Sequence, residues 1–279
     1  MQYHWYPGHM SKAKRQMTDE LKLIDVVIEL VDARIPMSSK NPDIEKMAAN
    51  KSRVMILNKY DMADPAISAK WKKFYEERGY YVVNVNAKNK KDFKTVQSVI
   101  TESCKEKIER NLKKGIKNKP IRAMICGIPN VGKSTFINTF VGKASAKTGN
   151  KPGVTTGKQW IRIGNNVDLL DTPGILWPKF EDEMIGKRLA FIGSINDNIL
   201  VPSEMAYDLI EEIMKLYPSA ISNYYEVETD CDKYKILENI AVKRGCLVKG
   251  GNLDLERAAR LLIDDFRSTK LGRLSLETP

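Results

Sequence analysis

At 279 residues, 42% of them hydrophobic, and with a net charge of +11, the chain is long enough for a buried core plus a smaller companion unit. The charge is uneven: residues 1–180 carry 33 Lys and Arg against 17 Asp and Glu (+16), and residues 181–279 carry 13 against 18 (−5), so the first part suits a polyanionic partner. No long apolar span, signal peptide, lipidation motif or zinc spacing of Cys104, Cys126, Cys231 and Cys246 is present, which argues against membrane, secreted and zinc-site classes and predicts a cytoplasmic protein with free thiols.

In chain order, Met10, Ala13, Met17, Leu21 and Ile24 fall at helical spacing and predict one apolar helix face. Lys12, Lys14, Arg15 and Lys22 lie elsewhere on it, as a solvated face or an RNA contact. Val26–Val31, Arg53–Leu57 and Tyr80–Asn84 read as strands separated by helices such as Ile67–Glu77, the alternation of a parallel α/β sheet. Asn58-Lys59-Tyr60-Asp61 follows the second strand with the N-K-x-D form that reads guanine. A carboxylate at Asp61 can accept from both N1–H and the exocyclic amine, a donor pair adenine lacks, and facing the wrong base it is left unpaired. Asn58 adds an amide contact and the Lys59 stem lies over the ring; an ordinary polar turn is the alternative. Asn86-Ala87-Lys88 follows the third strand as a turn. Thr95–Lys119, with Lys105, Lys107, Arg110, Lys113, Lys114, Lys117 and Lys119, reads as a basic connection, either a solvated helix frayed at Gly115 or an RNA contact.

Ile121–Cys126 reads as a buried strand and Ser134–Phe140 as the start of a helix; Gly127–Ser134 between them fits G-x-x-x-x-G-K-S. The glycines let backbone N–H groups turn inward around a phosphate at the helix N-terminus, with Asn130, Val131, Gly132, Lys133, Ser134 and Thr135 as the nucleotide-binding residues. Lys133 then reaches the outer phosphates and the Ser134 hydroxyl ligates Mg²⁺. Ala144–Gly157 has no period and reads as a mobile loop, and Lys158–Ile163 with Val167–Leu170 reads as a hairpin leading to Asp171. Beyond Phe180, three amphipathic helices are expected around Ala206–Tyr217, Ile236–Ala241 and Leu255–Phe266. Arg257, Arg260 and Arg267 lie on the other side of the last, as a solvated face of a helical bundle or an RNA contact.

The base-reading motif here precedes the phosphate loop, the reverse of the Ras-like order, and Asp171-Thr-Pro-Gly174 comes after both. With His4–Met10, Val31–Pro36 and Pro173–Lys179, this order makes the chain resemble the circularly permuted GTPase family over nearly its whole length, most strongly over 1–180. The resemblance implies a circularly permuted Ras-like P-loop GTPase domain at 1–180 and a C-terminal all-helical domain at 181–279. It implies GTP or GDP and Mg²⁺ as cofactors, and a monomeric ribosome-assembly factor whose partners are rRNA and the large ribosomal subunit, with no membrane or DNA partner. A GTP-binding rRNA scaffold with little used turnover, or a GTPase serving another RNA client, are the other readings.

Residue by residue, the resemblance places the Ala87 N–H on the guanine carbonyl, with Asn86 bracing the loop in front of Lys88. Thr155, or Thr156, closes on Mg²⁺ and the γ-phosphate, Asp171 acts on Mg²⁺ through water, and the Gly174 N–H senses the γ-phosphate. Ile175 stands where Ras-like enzymes have a glutamine, so the attacking water needs another partner or the intrinsic rate is low. His9 is the candidate water-orienting group, with His4 less favoured; a structural histidine in the Pro7-Gly8 turn is the other reading. Asn130 either helps hold K⁺ beside the phosphates or bonds its own loop.

Overall fold

The computed structural model describes residues 17–142, 159–164, 166–172 and 182–279. His4, His9, Thr155, Thr156, Gly174 and Ile175 lie outside them. A six-stranded sheet forms from β1 (Val26–Asp32), β2 (Ser52–Asn58), β3 (Tyr81–Val85), β4 (Ile121–Gly127), β5 (Gln159–Ile163) and β6 (Val167–Asp171), in the order β3-β2-β1-β4-β6-β5. Every pair is parallel except the antiparallel β5–β6 edge. All seven residues of β1 are buried, as expected of a central strand covered on both faces.

This order positions the site. The chain runs from β1 outward through β2 and β3, then returns to β4 on the other side of β1, creating a switch point at the β1–β4 seam. Ligands of open α/β sheets bind outside the carboxyl ends of the strands at such a point. The register brings those ends level: Asp32 is opposite Asn58, Asn58 opposite Val85, Leu30 opposite Gly127, and Ile125 opposite Asp171.

Helices α1 (Pro42–Met47), α2 (Pro65–Glu76), α3 (Asp92–Ser103), α4 (Lys105–Lys113) and α5 (Lys133–Val141) alternate with the strands. α2 starts two residues before the expected Ile67, because Asp64 accepts the Ala66 and Ile67 N–H groups at 2.8 and 3.1 Å and Pro65 fits the first helical position. Its Trp71 and Tyr75 bury against Leu57 and Val82 in a small cluster. α3 and α5 pack through Phe93 and Phe136, whose ring centroids are 4.9 Å apart. The basic connection proves to be the end of α3, then α4, then a non-helical stretch over 114–119, and α4 buries none of its residues.

After residue 182 come α6 (Glu183–Phe191), α7 (Pro202–Leu216), α8 (Ala220–Tyr225), α9 (Lys233–Lys243) and α10 (Leu255–Arg267). The helical pattern anticipates α7, α9 and α10 but not α6 and α8, which are short. Leu209, Ile210, Ile213, Leu237, Ile240, Ala259 and Leu262 are fully buried where α7, α9 and α10 meet; burying each Leu or Ile contributes roughly 1.5–3 kcal/mol. These residues belong to the same continuous core as the sheet. Beyond α10 the chain turns back on the sheet half: Leu274 and Leu276 are buried, the Leu276 N–H donates to the Arg34 carbonyl (2.9 Å), and Trp71 Nε1 donates to the Glu277 carbonyl (3.1 Å). All four cysteines are free, and among the described residues no helix is long and apolar enough to cross a membrane.

Candidate nucleotide-binding site

The glycines of the phosphate loop answer to close approaches. A Cβ on Gly127 would lie 2.8 Å from the Leu30 carbonyl oxygen, and one on Gly132, whose φ is +95°, would lie 2.5 Å from Asn58 Nδ2. Any side chain at Gly132 would therefore separate the phosphate loop from the N-K-x-D loop. Gly132 also leads into α5 without a side-chain cap, which leaves the N–H groups of the first turn free of any side-chain acceptor from the capping position. Lys133, Ser134 and Thr135 open this helix. Lys133 is buried and forms an ion pair with Asp171 at the carboxyl end of β6. Thr172 Oγ1 donates to the Ile125 carbonyl at 2.8 Å, fixing that strand end against β4.

The base-reading loop is bound directly to the phosphate loop. Asn58 Nδ2 donates to the Val131 carbonyl (2.8 Å), while its Oδ1 accepts the Ala87 N–H (3.1 Å). Asn58 thus ties three loops together, and the Ala87 N–H, the group expected on the guanine carbonyl, donates to Asn58 Oδ1. The physical reason is proximity: the paired ends of β2 and β3 set these loops side by side. Asn86 Oδ1 accepts the Lys88 N–H (2.9 Å) and the Asn86 N–H donates to Asp92 (2.8 Å), so that turn is braced from both sides. Lys59 Nζ donates to the Asn130 carbonyl and pairs with Asp32, both at 3.0 Å. Asp61 is exposed and makes no hydrogen bond or ion pair among the described residues.

Two anchors have roles that the sequence reading missed. Asp32, fully buried at the end of β1, accepts from Arg34 Nε (2.9 Å) and Nη2 (2.8 Å) in a fork, besides pairing with Lys59. Val31–Pro36 stood out as a motif, but its spacing says nothing of Lys59. Asn130 Nδ2 donates to the Gly193 carbonyl at 2.6 Å, just past α6, and Ser194 Oγ donates to the Pro129 carbonyl at 2.8 Å. Arg267 of α10 closes the same turn, donating to the Ala190 and Phe191 carbonyls at 2.7 and 2.9 Å. The helical half therefore grips the phosphate loop from behind.

Electrostatics separate the two buried aspartates. Burial pushes the Asp32 carboxyl up, but the charges of Arg34 and Lys59 and their hydrogen bonds outweigh it and hold the group well below the usual carboxylate range. For Asp171 burial prevails and the carboxyl is raised, the charge and hydrogen bond of Lys133 offsetting it only in part. A hydroxyl at Ser134, next to Lys133 in the chain, and a carboxylate at Asp171, paired with Lys133, are hard oxygen donors of the type Mg²⁺ prefers.

A strand, glycine loop and helix joined at the switch point to an N-K-x-D loop that precedes them in the chain define a circularly permuted P-loop GTPase. The family pattern described as "50S ribosome-binding GTPase" matches residues 122–229. The chain is 45% identical, over its full length and 95% of the other's, to Ribosome biogenesis GTPase A of Bacillus cereus, and 35% identical to that of Thermotoga maritima over 99% of this chain and 94% of the other. The solved structure of GDP-bound TM YlqF superposes with a TM-score of 0.69 at 28% identity, covering 95% of this chain and 99% of that one; GNP-bound YlqF from T. maritima gives 0.65 at 30%, covering 96% and 98%. The chain belongs to the ribosome biogenesis GTPase A family. It is a GTPase, and it binds GTP and GDP.

Proposed function

We propose that this protein is a GTP-driven assembly factor that binds the precursor of the large ribosomal subunit through rRNA and is released when GTP is hydrolysed. The observation that carries this reading is the junction of the guanine-reading and phosphate loops through Asn58–Val131 and Lys59–Asn130, in a chain so similar over its full length to Ribosome biogenesis GTPase A. The surplus of positive charge over residues 1–180, with exposed α4 adding to it, supports an RNA partner. In this reading residues 1–180 form the GTPase domain and residues 181–279 the helical one, and the protein works as a cytoplasmic monomer off the ribosome.

Hydrolysis is an in-line attack of water on the γ-phosphate. Asp61 reads the guanine edge and the Lys59 stem, fixed at its far end by Asp32 and the Asn130 carbonyl, covers the ring. Lys133 and the N–H groups opening α5 stabilise charge that grows on the phosphate oxygens. Phosphate binding thus draws Lys133 from Asp171 and frees that carboxylate. Ser134, Thr155 and Asp171 are the residues that would hold Mg²⁺, which would supply further neutralisation of the phosphates, and Asn130 is the residue that would help hold K⁺. His9 orients the water and Gly174 senses the γ-phosphate. The intrinsic rate is slow because Ile175 cannot position water.

GTP turnover measured in K⁺ buffer, with and without large ribosomal subunits, tests the reading. Strong stimulation by that subunit, lost in His9→Ala with nucleotide binding retained, is expected. Intact GTP binding with no stimulation would shift the assignment to a GTP-binding rRNA scaffold.

A further inference from the structure

We propose that Arg273, on the segment after α10, is a specificity-positioning residue: it holds the turn that presents Asp61 to guanine. The proposal rests on Asp61 being the base-reading carboxylate. The turn itself is one short 3-10 element, Tyr60–Met62, with no buried residue and no side-chain cap. Asp61 is exposed, and no bond of its own side chain among the described residues sets its direction. Its orientation therefore depends on what fixes the backbone on either side.

On the N-terminal side the fixing comes from Asn58 and Lys59, through the phosphate loop and Asp32. On the C-terminal side it comes from a segment more than two hundred residues away in the chain. Arg273 Nη2 donates to the Tyr60 carbonyl at 2.7 Å and Nε to the Ala63 carbonyl at 2.8 Å, so one guanidinium spans both ends of the turn carrying Asp61. The next residue is caught as well: the Asp64 N–H donates to Ser275 Oγ (3.1 Å), and Tyr217 OH donates to Asp64 Oδ2 (3.3 Å) while accepting the Ser275 N–H (3.1 Å). Buried Leu274, Ser275 and Leu276 seat this segment firmly enough to serve as a brace. The planar fork of arginine reaches two carbonyls at once; a lysine ammonium on its flexible stem has no such fixed pair of donors.

If Arg273 only stabilises the fold, its loss weakens all nucleotides alike. If it aims Asp61, its loss selectively erodes recognition of the exocyclic amine, which GDP has and inosine diphosphate lacks. Displacement of a fluorescent GDP analogue by unlabelled GDP and by inosine diphosphate reads this as a ratio. Arg273→Ala is expected to weaken GDP about tenfold and inosine diphosphate about twofold, shrinking the ratio roughly fivefold, with Arg273→Lys in between. Asp61→Ala, measured beside them, should bring the ratio close to one. A preserved ratio in Arg273→Ala alongside a collapsed one in Asp61→Ala overturns the role of Arg273 alone. A preserved ratio in Asp61→Ala overturns the base-reading assignment and this proposal with it. Should the alanine variant at Arg273 not fold, the ratio in Arg273→Lys decides: wild-type discrimination there overturns the proposal.

Discussion

Asp32 and Asp171 end two strands of the same sheet, are both buried, and both pair with a lysine of the nucleotide site, yet their carboxyls shift in opposite directions. The difference lies in the number of cations each faces. Arg34 and Lys59 together outweigh the cost of burying Asp32, while Lys133 alone does not outweigh that of Asp171. The guanine corner is thus built around a carboxyl that two cations favour in its charged form, and the phosphate corner around a carboxyl whose burial a single lysine offsets only in part.

The largest effect that would break this contrast is at the anchor. Asp32→Ala leaves the buried Arg34 and the half-buried Lys59 without their counter-charge and should lower stability by about 3–5 kcal/mol in urea unfolding; a loss below about 1 kcal/mol would show that Asp32 is no anchor. Next, Lys133→Ala should cut single-turnover GTP hydrolysis about 10²–10³-fold, and near wild-type turnover would remove Lys133 from charge stabilisation. The smallest effect is a pair of opposite slopes. A carboxyl lowered by folding gives stability that is full above its unfolded value and fades as pH falls through the folded one, whereas a raised carboxyl gives stability that fades as pH rises through the folded value. Relative to wild type, Asp32→Asn should therefore gain ground as the pH falls through the acid range, and Asp171→Asn should gain ground as the pH rises through it. Thermal unfolding across that range checks the signs, and slopes of the same sign would end the comparison.

What the sequence conveyed divides along the same lines. The phosphate loop and Asn58–Asp61 are legible because each is a local device in which spacing alone implies the chemistry, and strands such as Val26–Val31 are legible because central parallel strands are apolar throughout. The contacts of Asp32 with Lys59, Asn130 with Gly193 and Arg273 with Tyr60 were not, since their partners lie far apart in the chain and no periodicity marks them. Asn130 shows the limit: a loop amide suggests an ion or its own backbone, and only the placement of α6 reveals the Gly193 carbonyl. α6 and α8 were missed because nine and six residues carry too little pattern to stand out.

The β1–β4 seam, where Leu30 meets Gly127, joins parts of the chain about a hundred residues apart, whereas β1, β2 and β3 are successive neighbours. Among the described residues, the N-K-x-D loop and Asn86–Lys88 lie on one side of that seam and the phosphate loop and Asp171 on the other, so neither stretch of chain makes the proposed nucleotide site by itself. In the proposed site a bound nucleotide would span the join. Its binding free energy is then also free energy of closing the longest loop in the sheet, which makes the substrate a clasp for the permuted fold that recognises it.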